Sequence, residues 1–320
     1  MLVASLASVP VLAFVLGVVG AILKADLRLP DAVYQATSIY LLLAIGIKGG
    51  VALRESDVLA VATPAAMTVL LGVLIPVLAF VILRFMTRLD STDRGAMAAH
   101  YGSTSLVTFT AALVFLDSLG ITYEGYVTTL LAIMEIPGIL VGLLLAGSAA
   151  RYAGKLGESV REILTGRSIL LLAGGLVIGF LTGPEGFARV EPLFGAPFTG
   201  VLALFLLEMG VLAGRRIGDV KRAGAGLLVF ALAFPVLAGA LGVLGGTVAG
   251  LSAGGAMVLG VLTASASYIA APAAVRLALP QANPGITLTS SLGITFPFNL
   301  IVGIPLYWLM ADALAGMIGG

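Results

Sequence analysis

Residues 97–117 read MAAHYGSTSLVTFTAALVFLD. The flanks of this stretch are apolar enough for a bilayer, but its centre, Gly102-Ser103-Thr104-Ser105, is not. Glycine weakens a helix, and three consecutive hydroxyls can bond freed backbone groups or a ligand. An apolar span with a small polar centre predicts a discontinuous helix of the kind that builds transporter binding sites. A counterpart lies at residues 257–276, MVLGVLTASASYIAAPAAVR, with Thr263, Ala264, Ser265, Ala266 and Ser267 at its centre.

Outward from this pair, the whole chain has a membrane composition. Its 320 residues are 60% hydrophobic and 10% charged, with a mean hydropathy of +1.14. A soluble domain carries about 25% charged residues. A helical span takes about 20 apolar residues, so the length allows roughly ten spans and leaves no room for a soluble domain. The apolar runs are continuous rather than alternating, which argues against a β-barrel. The N-terminal run lacks the basic start of a signal peptide and reads as the first span.

Ten helices are expected, at 2–23, 31–52, 58–86, 94–116, 123–149, 168–181, 195–214, 223–251, 254–277 and 286–313. Residues 187–197 read as a loop because of their Gly, Pro and charges. With an outside N-terminus, the loops after spans 1, 3, 5, 7 and 9 hold 14 of the 17 Lys and Arg residues; only Lys48, Arg54 and Arg189 fall elsewhere. The positive-inside rule then predicts a multi-pass inner (plasma) membrane protein with both termini outside.

The chain also repeats itself. Gly95-Ala96-Met97 recurs as Gly255-Ala256-Met257, and at that shift Ser105 meets Ser265, Ala111 meets Ala271 and Pro137 meets Pro297. At a slightly larger shift Arg54, Asp57 and Val58 meet Arg216, Asp219 and Val220. Two five-helix repeats must insert with opposite orientation. The expected fold is therefore all-α, with ten transmembrane helices in two inverted repeats and discontinuous helices 4 and 9. Residues 1–150 form one repeat, 151–167 a cytoplasmic connecting loop and 168–320 the second repeat.

Broken helices bring free N–H groups and partial positive charge to the membrane interior, where a small anion can bind without a cationic side chain. Gly102, Ser103, Thr104, Ser105 and Thr108 would line one side, and Ser265, Ser267 and Tyr268 the other. Small residues also allow close helix packing; the recurrence at matched positions favours binding. Glu135, in Met134-Glu135-Ile136-Pro137, is an ionisable group at membrane depth beside a helix-loosening proline. It suits a cation or a proton, or equally a structural carboxyl hydrogen-bonded to a neighbouring helix. Glu208 suits a structural hydrogen bond, and Lys48, near a helix end, suits snorkelling to water. His100 reads as a packing or gating group, and Tyr307 with Trp308 as an interfacial anchor.

The chain has no cysteine, no GxxxxGK[ST] loop and no HExxH pair. Disulfides, thiolate chemistry, ATP-driven pumping and zinc proteolysis are excluded. An intramembrane enzyme would need paired carboxylates or a Ser/His pair at one depth, and lone His100 offers neither. No enzyme activity, bound cofactor or nucleic-acid partner is expected. A passive channel, an organic-anion carrier and a proton-coupled exchanger are the alternatives to an ion-driven anion carrier.

These residues resemble the sodium-dependent bicarbonate permease (SbtA-type) family over nearly the whole chain. The run from Ile45 and Gly46 through Gly49-Gly50, Ala52 and Arg54 matches its IGxxGGxAxR pattern. Tyr123-Glu124 and Met134-Glu135-Ile136-Pro137 resemble its YE and MDIP segments. Ala264-Ser265-Ala266-Ser267 with Pro272, Arg276, Pro280, Ala282-Asn283-Pro284, Ser290-Ser291 and Pro297 resembles its later motifs. The resemblance implies a gate domain of helices 1, 2, 6 and 7 and a core domain of helices 3–5 and 8–10. It also implies bicarbonate and sodium as cargo, elevator-like alternating access, a homotrimer in the membrane lipid and, in some members, a PII-like regulator bound from the cytoplasm. Glu135, Thr295 and Asn299 become the cation-binding set. Two departures stand out: Tyr268 occupies the place of a family Asp, and the midpoint loop is short.

Overall fold

The computed structural model describes residues 8–148, 161, 164–220 and 224–318. The expected start of span 1 through residue 7, most of the midpoint loop with Arg151 and Lys155, and Lys221 with Arg222 lie outside the described residues. Helices dominate what is described: α1 (Val9–Ile22), α2 (Asp31–Glu55), α3 (Val58–Met86), α4 (Ser91–Gly102), α5 (Leu106–Ser118), α6 (Val127–Leu143), α7 (Arg167–Phe194), α8 (Phe198–Val220), α9 (Ala225–Val248), α10 (Ala253–Ala264), α11 (Ala271–Ala278) and α12 (Pro284–Met317). Among the described residues, eight helical stretches are long and apolar enough to cross a membrane, with α4 and α5 counted as one. The two expected spans that fall short are α1, whose predicted start is not described, and the ninth, which is cut into α10 and α11.

Local chemistry sets several helix starts. Asp57 accepts the Leu59 N–H at 3.0 Å, Asp90 the Asp93 N–H at 2.8 Å, and Ser252 the Gly255 N–H at 3.2 Å. Asn283 accepts the Gly285 N–H at 2.9 Å ahead of α12, with Pro284 at the first helical position. Each satisfies a donor that a helix start leaves orphaned.

The sixth span departs from expectation. It does not stop near Leu181 in a loop; α7 continues to Phe194 through a kink at Gly183, whose φ is 62°. Glycine adopts this conformation without strain, and Pro184 then restarts the helix where its missing N–H is harmless. Arg54 donates to the Phe180 and Leu181 carbonyls freed at the kink, at 3.3 and 3.0 Å. Two further expectations are corrected. Lys48 is not near a helix end: α2 runs on to Glu55, and the ammonium lies 4.8 Å from the Phe198 ring centroid. Tyr307 is no interfacial anchor: it is fully buried and donates to Asn299 Oδ1 at 2.9 Å.

The helices pack in two groups. In the first, α2 lies on α7, α1 on α8, and α8 on α2. In the second, α3 packs on α4, α6 and α9, and α9 on α10 and α12. The groups meet where α8 touches α12 and α2 touches α6. Glycines make the crossings close. A Cβ at Gly138 of α6 would land on the Gly102 carbonyl, so α6 presses directly on the end of α4. Such contacts replace hydrophobic driving force, which lipid does not supply between helices.

Candidate functional site

Helix α4 ends at Gly102 and α5 begins after Ser105, with Ser103 in extended backbone between them. Helix α10 ends at Ala264 and α11 begins at Ala271. The two breaks cross. Ser105 N–H donates to Ser265 Oγ at 2.9 Å, and Ser267 N–H donates to the His100 carbonyl at 2.7 Å. Ser265 Oγ–H in turn donates to the Leu262 carbonyl at 2.9 Å. Both expected discontinuities therefore exist and brace each other, Ser105 on Ser265 and Ser267 on His100.

Ser105 is the hub of the crossing. Its Oγ accepts the Thr108 N–H at 3.2 Å and the Thr108 hydroxyl at 2.9 Å, and donates to the Tyr268 phenol oxygen at 3.4 Å. Since Tyr268 accepts there, its own proton has no acceptor among the described residues. Ser267 Oγ accepts the Ala271 N–H at 3.2 Å, which likewise leaves its proton unclaimed. Thr104 Oγ1 is buried without a partner among the described residues. At the start of α5 the Leu106 and Val107 N–H groups have no intrahelical acceptor.

Thr104, Ser105, Leu106, Ser267 and Tyr268 line a small cavity of about 20 Å³, together with Glu135 of α6. That is room for one water-sized group. The cavity is rich in donors, and donors without acceptors in a buried site are matched to an anion. Glu135 is 6% exposed and makes no hydrogen bond or ion pair among the described residues. A carboxylate there needs a cation or a proton.

The remaining sequence candidates are placed differently. Gly102 sits behind the cavity, against Gly138 and Pro76. Ser103 Oγ is buried without a partner among the described residues but does not line the cavity, while Thr108 and Ser265 brace Ser105. Thr295 and Asn299 do not join Glu135. Thr295 donates to the Ala231 carbonyl at 2.7 Å and so accepts from Tyr101 OH, also at 2.7 Å. Asn299 Nδ2 donates to the Ala264 carbonyl at 2.8 Å, the last of α10. Both lie on π-helical turns of α12 and tie that helix to the broken one. Glu208 accepts the Leu29 N–H at 2.7 Å and lies 3.7 Å from Arg28, holding the α1–α2 connection. His100 Nδ1 meets the Ala96 carbonyl at 2.8 Å. A carbonyl only accepts, so that nitrogen carries the proton, and the buried Nε2 has no partner among the described residues. Ser168 and Leu131 are lining residues that sequence reasoning missed; Ser168 had only its place after the midpoint loop to mark it.

The family model of the Na+-dependent bicarbonate transporter superfamily matches residues 10–312. The chain belongs to this superfamily and is a membrane transporter. No curated protein matches it closely enough to count as a relative.

Proposed function

We propose that this member of the superfamily is a secondary active carrier that moves bicarbonate with sodium across the plasma membrane. The observation that carries the reading is the crossing of the two breaks beside one cavity. Hydroxyl protons of Thr104, Ser267 and Tyr268 and the free N–H group of Leu106 face an anion there, and the unpaired Glu135 carboxyl faces the coupling cation. Neutral donors hold an anion without the desolvation cost of a buried cationic side chain. Tyr268, in the place of a family Asp, supplies a donor to the anion instead of an oxygen ligand to the cation. Glu135, the one carboxylate lining this cavity among the described residues, then carries the cation role. Thr295 and Asn299 are expected to act on that role indirectly, by fixing α12.

The packing supports ten spans in two inverted repeats, residues 1–150 and 168–320 joined by 151–167. Under the exchange of span n with span n+5, α1 on α8 becomes α7 on α2, and α2 on α6 becomes α8 on α12. Each of these contacts is observed together with its mate. The two packing groups then act as gate and core, and an elevator-like slide of one past the other exposes the cavity to either side with both termini outside. A homotrimer is part of the same proposal, with the exposed leucines and valines turned to lipid or to neighbouring copies; the short midpoint loop leaves little for a PII-like regulator to grip.

A bulky side chain at the hub tests the placement. Ser105→Phe is expected to abolish bicarbonate uptake in proteoliposomes while the protein stays monodisperse and helical. Normal uptake by folded S105F would place the anion elsewhere. A proton in place of sodium is the second reading, favoured by the lone Glu135 carboxyl; acidification of the lumen on bicarbonate addition without sodium, lost in Glu135→Gln, would select it.

A further inference from the structure

The central cavity has a neighbour. Ser168, Ile269 and Ala270 line it and also line a larger cavity of about 330 Å³. Tyr34 and Ser38 of α2, Ile139 of α6, Ala273 of α11 and Arg167 of α7 are among its other wall residues. Arg167 is the one charged residue among those lining it. The guanidinium is exposed and makes no hydrogen bond or ion pair among the described residues. Arg167 ends the midpoint loop, one of the loops that hold the basic residues, and is joined in sequence to Ser168.

We infer that this cavity is the vestibule through which the anion reaches the basic-loop face, and that Arg167 with Ser168 forms a transient anion site at its inner end. The inference rests on the carrier reading and adds a path and two residues to it. The difference in volume carries a consequence. The vestibule holds an anion with its water, whereas the central cavity holds one water-sized group. An anion passing between them sheds water at Ser168, where the two cavities join. A fixed positive charge between low-dielectric walls concentrates anions there and excludes cations. Arginine suits the task, since its planar fork binds carboxylate-like oxygens and is weakly hydrated. A site of this kind binds loosely and discharges readily, as a release path requires.

The absence of native cysteine makes the vestibule directly readable. Ala273→Cys places a single thiol on the vestibule wall. Membrane-impermeant methanethiosulfonates, one with a sulfonate and one with a quaternary ammonium, are applied to the basic-loop face of oriented vesicles. The sulfonate reagent is expected to react faster, and adding Arg167→Gln should lower the sulfonate-to-ammonium rate ratio by about five- to tenfold, as expected for removing one nearby unit charge. In bicarbonate exchange, Arg167→Gln should raise the half-saturating concentration on that face by a similar factor and leave the opposite face unchanged. No labelling of A273C from the basic-loop face, or a rate ratio indifferent to Arg167, overturns the vestibule. If the thiol results hold but the wild-type protein carries no bicarbonate, the vestibule stands and the choice of substrate falls.

Discussion

Replacing Thr104 by valine is expected to stabilise the empty protein and weaken transport at once. The two side chains have nearly the same shape, so packing at this buried position, 4% exposed, is kept. In the empty protein Thr104 Oγ1 has no partner among the described residues. A buried, unsatisfied hydroxyl costs about 1–3 kcal/mol, and valine removes that cost. With an anion bound, the same hydroxyl donates to a charged acceptor, a bond worth about 1.5–3 kcal/mol that valine cannot make. That loss corresponds to a rise of about ten- to a hundredfold in the half-saturating bicarbonate concentration. Two assays on one purified variant check both signs: thermal unfolding in detergent without bicarbonate, and labelled-bicarbonate uptake across a concentration series. T104V with a lower melting temperature than wild type would mean that the hydroxyl has an unseen partner. An unchanged half-saturation would mean that it does not touch the anion. Either result refutes the assignment of Thr104 as a waiting donor.

Further expectations concern the cation and the crossing. Glu135→Gln keeps the size of the side chain and removes its charge; sodium-dependent uptake should fall to background in folded protein, and an unchanged sodium dependence would clear Glu135 of the role. Gly138→Ala sets a methyl on the Gly102 carbonyl, and overpacking of this kind costs about 1–3 kcal/mol. Gly174→Ala, with nothing within 4 Å of the added methyl, is the matched control and should melt no lower than wild type. Equal melting temperatures for the two glycine variants would contradict the close α4–α6 contact.

Much of this arrangement is legible in the residues because the chemistry is local. Gly102-Ser103-Thr104-Ser105 announces a break by its own composition, and the small polar run from Thr263 to Ser267 announces the second. What could not be read depends on neighbours. Gly183-Pro184 looks like the end of a helix; only the Arg54 guanidinium, distant in sequence, shows how the kinked carbonyls are satisfied and why α7 goes on. The π-helical turns at Thr289–Thr295 and Asn299–Gly303 leave an apolar run looking like any other, since one extra residue per turn has no composition of its own. Tyr307 near the chain's end has the look of an anchor until its partner Asn299 is seen inside the bundle. Thr295 and Asn299 joined Glu135 only through a family resemblance; their observed bonds run to Ala231, Tyr101, Ala264 and Tyr307 instead.

The most direct test of the central claim is labelled-bicarbonate uptake into proteoliposomes at fixed pH, with and without an inward sodium gradient. Accumulation above equilibrium that requires the sodium gradient is the predicted result, with the cation held at Glu135 although Tyr268 replaces the family Asp. Folded protein that accumulates no bicarbonate under either condition would contradict it.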